Sequence, residues 1–292
     1  MNFARLARTL AVAPGVNRLS AWTVVLITAG VTAAASPPES AVIPIRLSGN
    51  FALIDVRIGG SDIPLLLDTG DSRGILLAQQ VIDRIKAKPV GQSSKVIDLK
   101  GNIVESPHFE IPRLQIGSIE FANVIADLDV HDPSYQPDQH GQQGFLGTAL
   151  LKPYQVVIDY SRLTLTLIAP GSSRARAGDC RGVAVPFVEQ WRGEPVTAAE
   201  TDFGRVVLWW DTGAPLSIIT ARFAQQSRPK TTEGPMLSDR LGLGGTEFGP
   251  WPFEVVDFAL PPGFDGFIGY DFYARHVVCM DFPGRRVLVR TS

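Results

Sequence analysis

The chain contains its own echo. Leu65-Leu66-Leu67-Asp68-Thr69-Gly70 returns as Leu208-Trp209-Trp210-Asp211-Thr212-Gly213, at an offset of 211 − 68 = 143 residues. Each copy is an apolar run that ends in a turn tripeptide, with a carboxylate where run becomes turn. A second set of features follows each copy. Gly144-Phe145-Leu146-Gly147, then Tyr154 to Tyr160 and Leu163 to Ile168, is matched by Gly266-Phe267-Ile268-Gly269, then His276 to Phe282 and Arg286 to Val289, at an offset of 269 − 147 = 122. A lone Asp-Thr-Gly is an ordinary β-turn tripeptide. Recurrence in the same order, with the same companions, marks a duplicated structural unit.

The unit is a β unit. Twenty-eight glycines and 22 prolines punctuate short Val, Ile, Leu and Phe runs, which favours many strands joined by tight turns. In the first copy, Phe51 to Ile58 and Ile63 to Leu67 read as strands around the hairpin signal Gly59-Gly60-Ser61-Asp62. Ile75 to Leu77 continues the pattern and Ala78 to Ile85 reads as a short helix. Lys95 to Ile111 reads as a hairpin tipped by Lys100-Gly101-Asn102, and Leu114 to Leu128 as another around Gly117-Ser118. The second copy repeats this with Val206 to Trp210, Leu216 to Thr220, a helix from Ala221 and a glycine-rich tip at Leu241 to Gly245. Between the copies, residues 171–181 are small and polar and read as a linker, so that lobes of 40–170 and 182–292 are expected.

The N-terminus carries an address. Arg5, Arg8 and Arg18 precede the apolar run Ala21 to Ala35, which closes on Ala33-Ala34-Ala35. That order reads residues 1–35 as a secretory signal, and the apolar part is shorter than the roughly 20 residues that span a bilayer. The expected location is periplasmic or secreted, with no stable membrane span after cleavage; the alternative is an uncleaved N-terminal anchor. Export would permit a disulfide between Cys180 and Cys279, or the two can remain thiols.

Other chemistries lack their residues. A net charge of −2 offers no surface for nucleic-acid phosphates. His108, His131, His140 and His276 show no metal-ligand spacing, so neither a metal nor another cofactor is expected. What the duplication does supply is a pair of acids. If the two copies face each other, Asp68 and Asp211 meet, cannot both ionise easily, and share a proton, one serving as base toward water and the other as acid.

With these motifs the sequence resembles the pepsin-like and retropepsin-like aspartic proteases. Leu-Leu-Leu-Asp-Thr-Gly-Asp-Ser and Leu-Trp-Trp-Asp-Thr-Gly-Ala-Pro both match the family's hydrophobic-hydrophobic-Asp-Thr/Ser-Gly signature. Phe145-Leu146-Gly147 and Phe267-Ile268-Gly269 match its hydrophobic-hydrophobic-Gly element. The resemblance implies a mainly β, bilobal fold of two pseudo-two-fold related β-barrel-like lobes, acting on a peptide or protein substrate as a monomer. It implies that Asp68 and Asp211 hold the lytic water and that Thr69 and Thr212 cross-brace their loops. Gly70 and Gly213 permit the turns, Ser72 continues the first loop, and Gly147 and Gly269 pack beneath.

Departures from the family and rival readings set further expectations. Asp71 stands where the family carries a small or hydroxyl residue, and is expected to face solvent or else to add a third carboxylate to the cleft. No Tyr lies between Asp68 and Tyr135 to serve as a flap residue, leaving the Lys100 hairpin, and Leu241 to Gly245, as flap candidates. Gly70-Asp71-Ser72-Arg73-Gly74 fits Gly-x-Ser-x-Gly and offers a serine-hydrolase alternative with Ser72 and His276, although the hairpin-rich pattern does not suit it. A second alternative is a non-catalytic peptide binder with the same cleft. Trp209, Trp210 and Trp251 are expected in the core, or else lining that cleft.

Overall fold

A computed structural model of the chain describes residues 40–97, 103–130, 140–188, 194–227, 234–257 and 263–291. The signal-like residues 1–35 and the Lys100-Gly101-Asn102 tip lie outside the described residues.

The described chain is mainly β and folds into three sheets, of which two have eight strands and one has six. The first eight-stranded sheet grows from the hairpin Phe51–Ile58 and Ser61–Leu67. Its turn is made by Gly59 at φ 58° and Gly60 at φ 83°, the left-handed conformations that a two-residue hairpin turn of matching twist requires. Along Phe51–Ile58 the last four residues alternate exposed and buried, while all of Leu65, Leu66 and Leu67 are buried, because that end of the next strand is covered on both faces.

The two eight-stranded sheets share one wiring. In the first, Ser61–Leu67 lies parallel to Gly144–Leu146, which is antiparallel to Ile75–Leu77, which is parallel to Ile119–Leu128. In the second, Gly204–Trp210 lies parallel to Gly266–Ile268, which is antiparallel to Ile218–Thr220, which is parallel to Trp251–Val256. Both lone helices expected after these short strands form, as Gln79–Ile85 and Ala221–Ser227.

The six-stranded sheet joins the halves. Its order is Ala41–Pro44, Thr164–Ile168, Gln155–Asp159, His276–Asp281, Arg286–Thr291, Val183–Pro186, so three strands come from each half. The seam is the antiparallel pairing of Gln155–Asp159 with His276–Asp281, in which Val157 faces Cys279. Those two are counterparts under the 122-residue offset, so the approximate two-fold axis passes through this pair. One hydrophobic core runs from Leu67 and Ile158 in the first half to Trp210 and Met280 in the second.

A smaller apolar cluster, Val157, Ile168, Val277, Cys279 and Leu288, lies on the other face of this sheet, with Ala175 and Cys180 packed on it. Cys180 is disulfide-bonded to Cys279, with Cα atoms 5.5 Å apart and a sequence separation of 99. Within the stretch read as a linker, Ser173–Ala177 forms a helix, capped by Ser172 Oγ accepting from the Ala175 N–H and ended by Gly178 at φ 75°. A single turn is too short to display the apolar period by which helices are recognised in sequence. Among the described residues, no helix is long and apolar enough to cross a membrane.

Candidate active site

Each Asp-Thr-Gly turn hangs from the end of a central strand. The Asp68 N–H donates to the Leu146 carbonyl at 2.9 Å, and the Asp211 N–H to the Ile268 carbonyl at 3.0 Å, so both carboxylates are fixed to the short strand that enters beside them. The turns then fold back on their own side chains. The Gly70 N–H donates to Asp68 Oδ1 at 3.0 Å and the Gly213 N–H to Asp211 Oδ1 at 2.7 Å.

Thr69 and Thr212, both fully buried, tie the two turns together. The Thr69 N–H donates to Thr212 Oγ1 and the Thr212 N–H to Thr69 Oγ1, each at 3.0 Å. The hydroxyls pass their own protons across the seam, Thr69 to the Trp210 carbonyl at 2.8 Å and Thr212 to the Leu67 carbonyl at 2.6 Å. Four reciprocal bonds between residues 141 to 145 apart hold the loops in one relative position.

The clamp brings Asp68 and Asp211 together. Each carboxyl lies against the facing turn, close enough for the charge of Asp211 to act on Asp68. A Cβ on Gly70 would lie 2.5 Å from the Asp211 carboxyl carbon, and one on Gly213 would lie 2.9 Å from Asp68 Oδ1, so only glycine leaves room for the facing acid. Gly147 and Gly269 fill the same need one layer down: a Cβ there would meet the Arg73 carbonyl at 2.4 Å and the Leu216 carbonyl at 2.2 Å.

The acids are electrostatically unequal. Burial, then the neighbouring charges of Asp211 and Asp71, push Asp68 well above the usual carboxylate range, while the Gly70 N–H opposes the rise. Burial also raises Asp211, but the N–H groups of Gly213, Ala214 and Gly70 and the hydrogen bond from Asp68 hold it down. Asp68 is thus the better holder of a proton and Asp211 the better holder of charge.

Asp71 neither faces solvent nor stands bare in the cleft. Its carboxylate accepts from the Arg73 guanidinium at 2.7 Å and from the Arg73 backbone N–H at 2.8 Å, and its side chain is only 14% exposed. Its carbonyl accepts from the Thr148 N–H at 2.8 Å. Ser72 is exposed in the same loop, and Thr148 Oγ1 donates to the Asp71 carbonyl at 3.1 Å. His276, the base that a Ser72 nucleophile would need, is enclosed by Phe248, Trp251 and Phe272, with Nδ1 at 3.1 Å from the Phe272 carbonyl. Burial lowers its pKa, and the sheets are not the parallel array of a serine-hydrolase elbow.

Of the tryptophans, Trp210 and Trp251 are core residues. Trp209 instead reaches across the seam. Stacked on Phe264, it donates Nε1–H to the Thr69 carbonyl at 3.0 Å, a fifth bond between the turns. At the Leu241 to Gly245 tip, Gly244 lies close to the Ala184 carbonyl of strand Val183–Pro186, while Gly245 is open to solvent. Among the described residues, no group of three or more His, Cys, Asp or Glu is placed to hold a metal ion.

Residues 54–150 match the family described as aspartyl protease. In fold, the whole is similar to the crystal structure of the aspartic proteinase from Irpex lacteus, with a TM-score of 0.59 over 87% of this chain and 98% of that one, at 11% identity. No curated protein matches the sequence. The chain therefore has the pepsin-like aspartic protease fold, with the aspartyl protease match lying across the turn that carries Asp68.

Proposed function

We propose that this protein is an aspartic endopeptidase in which Asp68 and Asp211 jointly activate a water molecule against the peptide bond of an extended substrate. The observation that carries this reading is the close approach of the two carboxyl groups, each against the other turn's glycine, held by the reciprocal Thr69 and Thr212 bonds.

The chemistry follows from the shared proton. With Asp68 protonated and Asp211 ionised, a water between them loses a proton to Asp211 as its oxygen attacks the carbonyl carbon, while Asp68 gives its proton to the carbonyl oxygen. The tetrahedral diol then collapses: one hydroxyl proton returns to Asp68, Asp211 passes its proton to the amide nitrogen, and the C–N bond breaks. Both residues end as they began. Preorganisation is the contribution of the clamp, because the turns need not rearrange as charge moves.

The natural setting we assign is outside the cytoplasm, in the periplasm or secreted, since the disulfide suits an oxidising compartment and residues 1–35 have the signal pattern. One chain supplies both acids, so a monomer suffices.

The test is cleavage of a diverse peptide library by the purified protein between pH 3 and 7, with pepstatin-type transition-state mimics as inhibitors. Acid-stimulated cleavage that disappears in Asp211→Asn is expected. Absence of cleavage, or cleavage that survives that substitution, would remove the proposal.

A further inference from the structure

On the face of the six-stranded sheet that carries the disulfide, a cavity of about 420 Å³ opens beside the helix Ser173–Ala177. Its lining includes four arginines and two threonines, Arg162, Arg174, Arg181 and Arg290 with Thr164 and Thr166. Those six residues come from three separated parts of the chain.

Two acids also line the cavity, and both are spoken for. Asp159 accepts from Ser161 Oγ at 2.6 Å and the Arg162 N–H at 3.1 Å, closing a turn, and Asp179 lies 3.7 Å from Arg174. Four arginines against two aspartates leave an excess of two positive charges. The excess sits on Arg181 and Arg290, which among the described residues have no ion-pair partner. Arg290 Nε is buried without any hydrogen-bond partner, although a buried guanidinium N–H left unpaired costs the full desolvation of a charged donor. A bound oxyanion would satisfy it.

We propose that this cavity is a binding site for a phosphate group, separate from the aspartate pair. Arginine forks match the oxygens of a tetrahedral oxyanion, and threonine hydroxyls add donors at the floor. The volume accommodates a phosphate ester of small-metabolite or headgroup size. The disulfide is part of the architecture, because Asp179 and Arg181 flank Cys180 and the bond to Cys279 tethers this wall to the sheet. A phospholipid headgroup and a soluble phosphate ester present the same group to this site.

Titration of the full chain with inorganic phosphate and with glycerol 3-phosphate in a calorimeter tests the site, alongside co-sedimentation with phosphatidylcholine vesicles with and without phosphatidylglycerol. Binding should weaken about tenfold in Arg181→Gln and in Arg290→Gln, the loss of one charge-assisted contact each. Arg181 is exposed, so its variant retains the fold and its peptide cleavage should match the parent protein. Preference for phosphatidylglycerol vesicles that both substitutions abolish assigns the headgroup; phosphate binding without vesicle preference assigns a soluble ester. Absence of binding to every probe, or binding that neither substitution weakens, overturns the site.

Discussion

Asp71 and Ala214 occupy equivalent places behind the two facing carboxylates, and they act on them with opposite sign. The Asp71 carbonyl accepts from the Thr148 N–H at 2.8 Å and the Ala214 carbonyl from the Tyr270 N–H at 2.9 Å, so the backbones coincide. The charge of Asp71 raises Asp68, whereas the N–H of Ala214 lowers Asp211. A nearly symmetric scaffold thereby fixes which acid carries the proton.

That relation predicts opposite shifts in two variants. Asp71→Asn removes a negative charge beside Asp68, making it easier to ionise, so the proton-bearing form disappears at lower pH. Arg73→Gln leaves Asp71 unneutralised and moves the same boundary upward. The alkaline limb of the kcat/KM profile reads both, and movement in one direction for the two variants would refute the assignment.

Removing either acid should end turnover. Asp68→Asn and Asp211→Asn are each expected to lower kcat by roughly 10³-fold or more, since neither remaining carboxyl can serve as base and acid in one cycle. Single-turnover assays with a good peptide check this.

The same Asp68→Asn substitution should stabilise the fold as pH rises. Asp68 has a folded pKa raised above its unfolded value of about 3.9. Below that value both states hold the proton and its contribution is intact. Above it the unfolded chain ionises first, and stability falls until the folded pKa is passed. The Asn variant lacks this loss, so its advantage in thermal melting should be absent near pH 3 and grow from pH 4 toward pH 7.

Thr69→Val keeps the shape and deletes the clamp on one side. The Trp210 carbonyl and the Thr212 N–H, bonded at 2.8 and 3.0 Å, would be left buried and unpaired, at a cost of about 2–4 kcal/mol. Urea unfolding should show that loss, and Thr69→Ser should restore most of it.

Breaking the disulfide releases a loop spanning 99 residues of sequence. Cys180→Ser should destabilise the protein by about 3–5 kcal/mol, and a reductant should lower the melting temperature of the parent protein but not of the variant.

Much of this architecture was legible because the internal repeat left the same residues in two places. Asp68 with Asp211 and Gly147 with Gly269 could be paired by offset alone, and Phe51–Ile58 stood out between a turn and an apolar run. What escaped were features without a counterpart. The Asp71 to Arg73 clamp is a contact made by one half only, and the Trp209 bond to Thr69 joins residues 140 apart that share no pattern. Leu241 to Gly245 has the composition of a mobile tip, yet Gly244 lies close against the Ala184 carbonyl and Gly242 against Glu200. Glycine spacing reports that a backbone comes near something, not what it comes near.

The seam through Val157 and Cys279 has a consequence for how the two halves depend on each other. If the polypeptide were divided after Ile168, the first part would end in a three-stranded sheet whose strand Gln155–Asp159 presents a raw row of N–H and carbonyl groups. That edge already matches a partner related to it by rotation, so two copies of the fragment would offer each other the same pairing. The single long chain forestalls such self-association by keeping the correct complement permanently tethered.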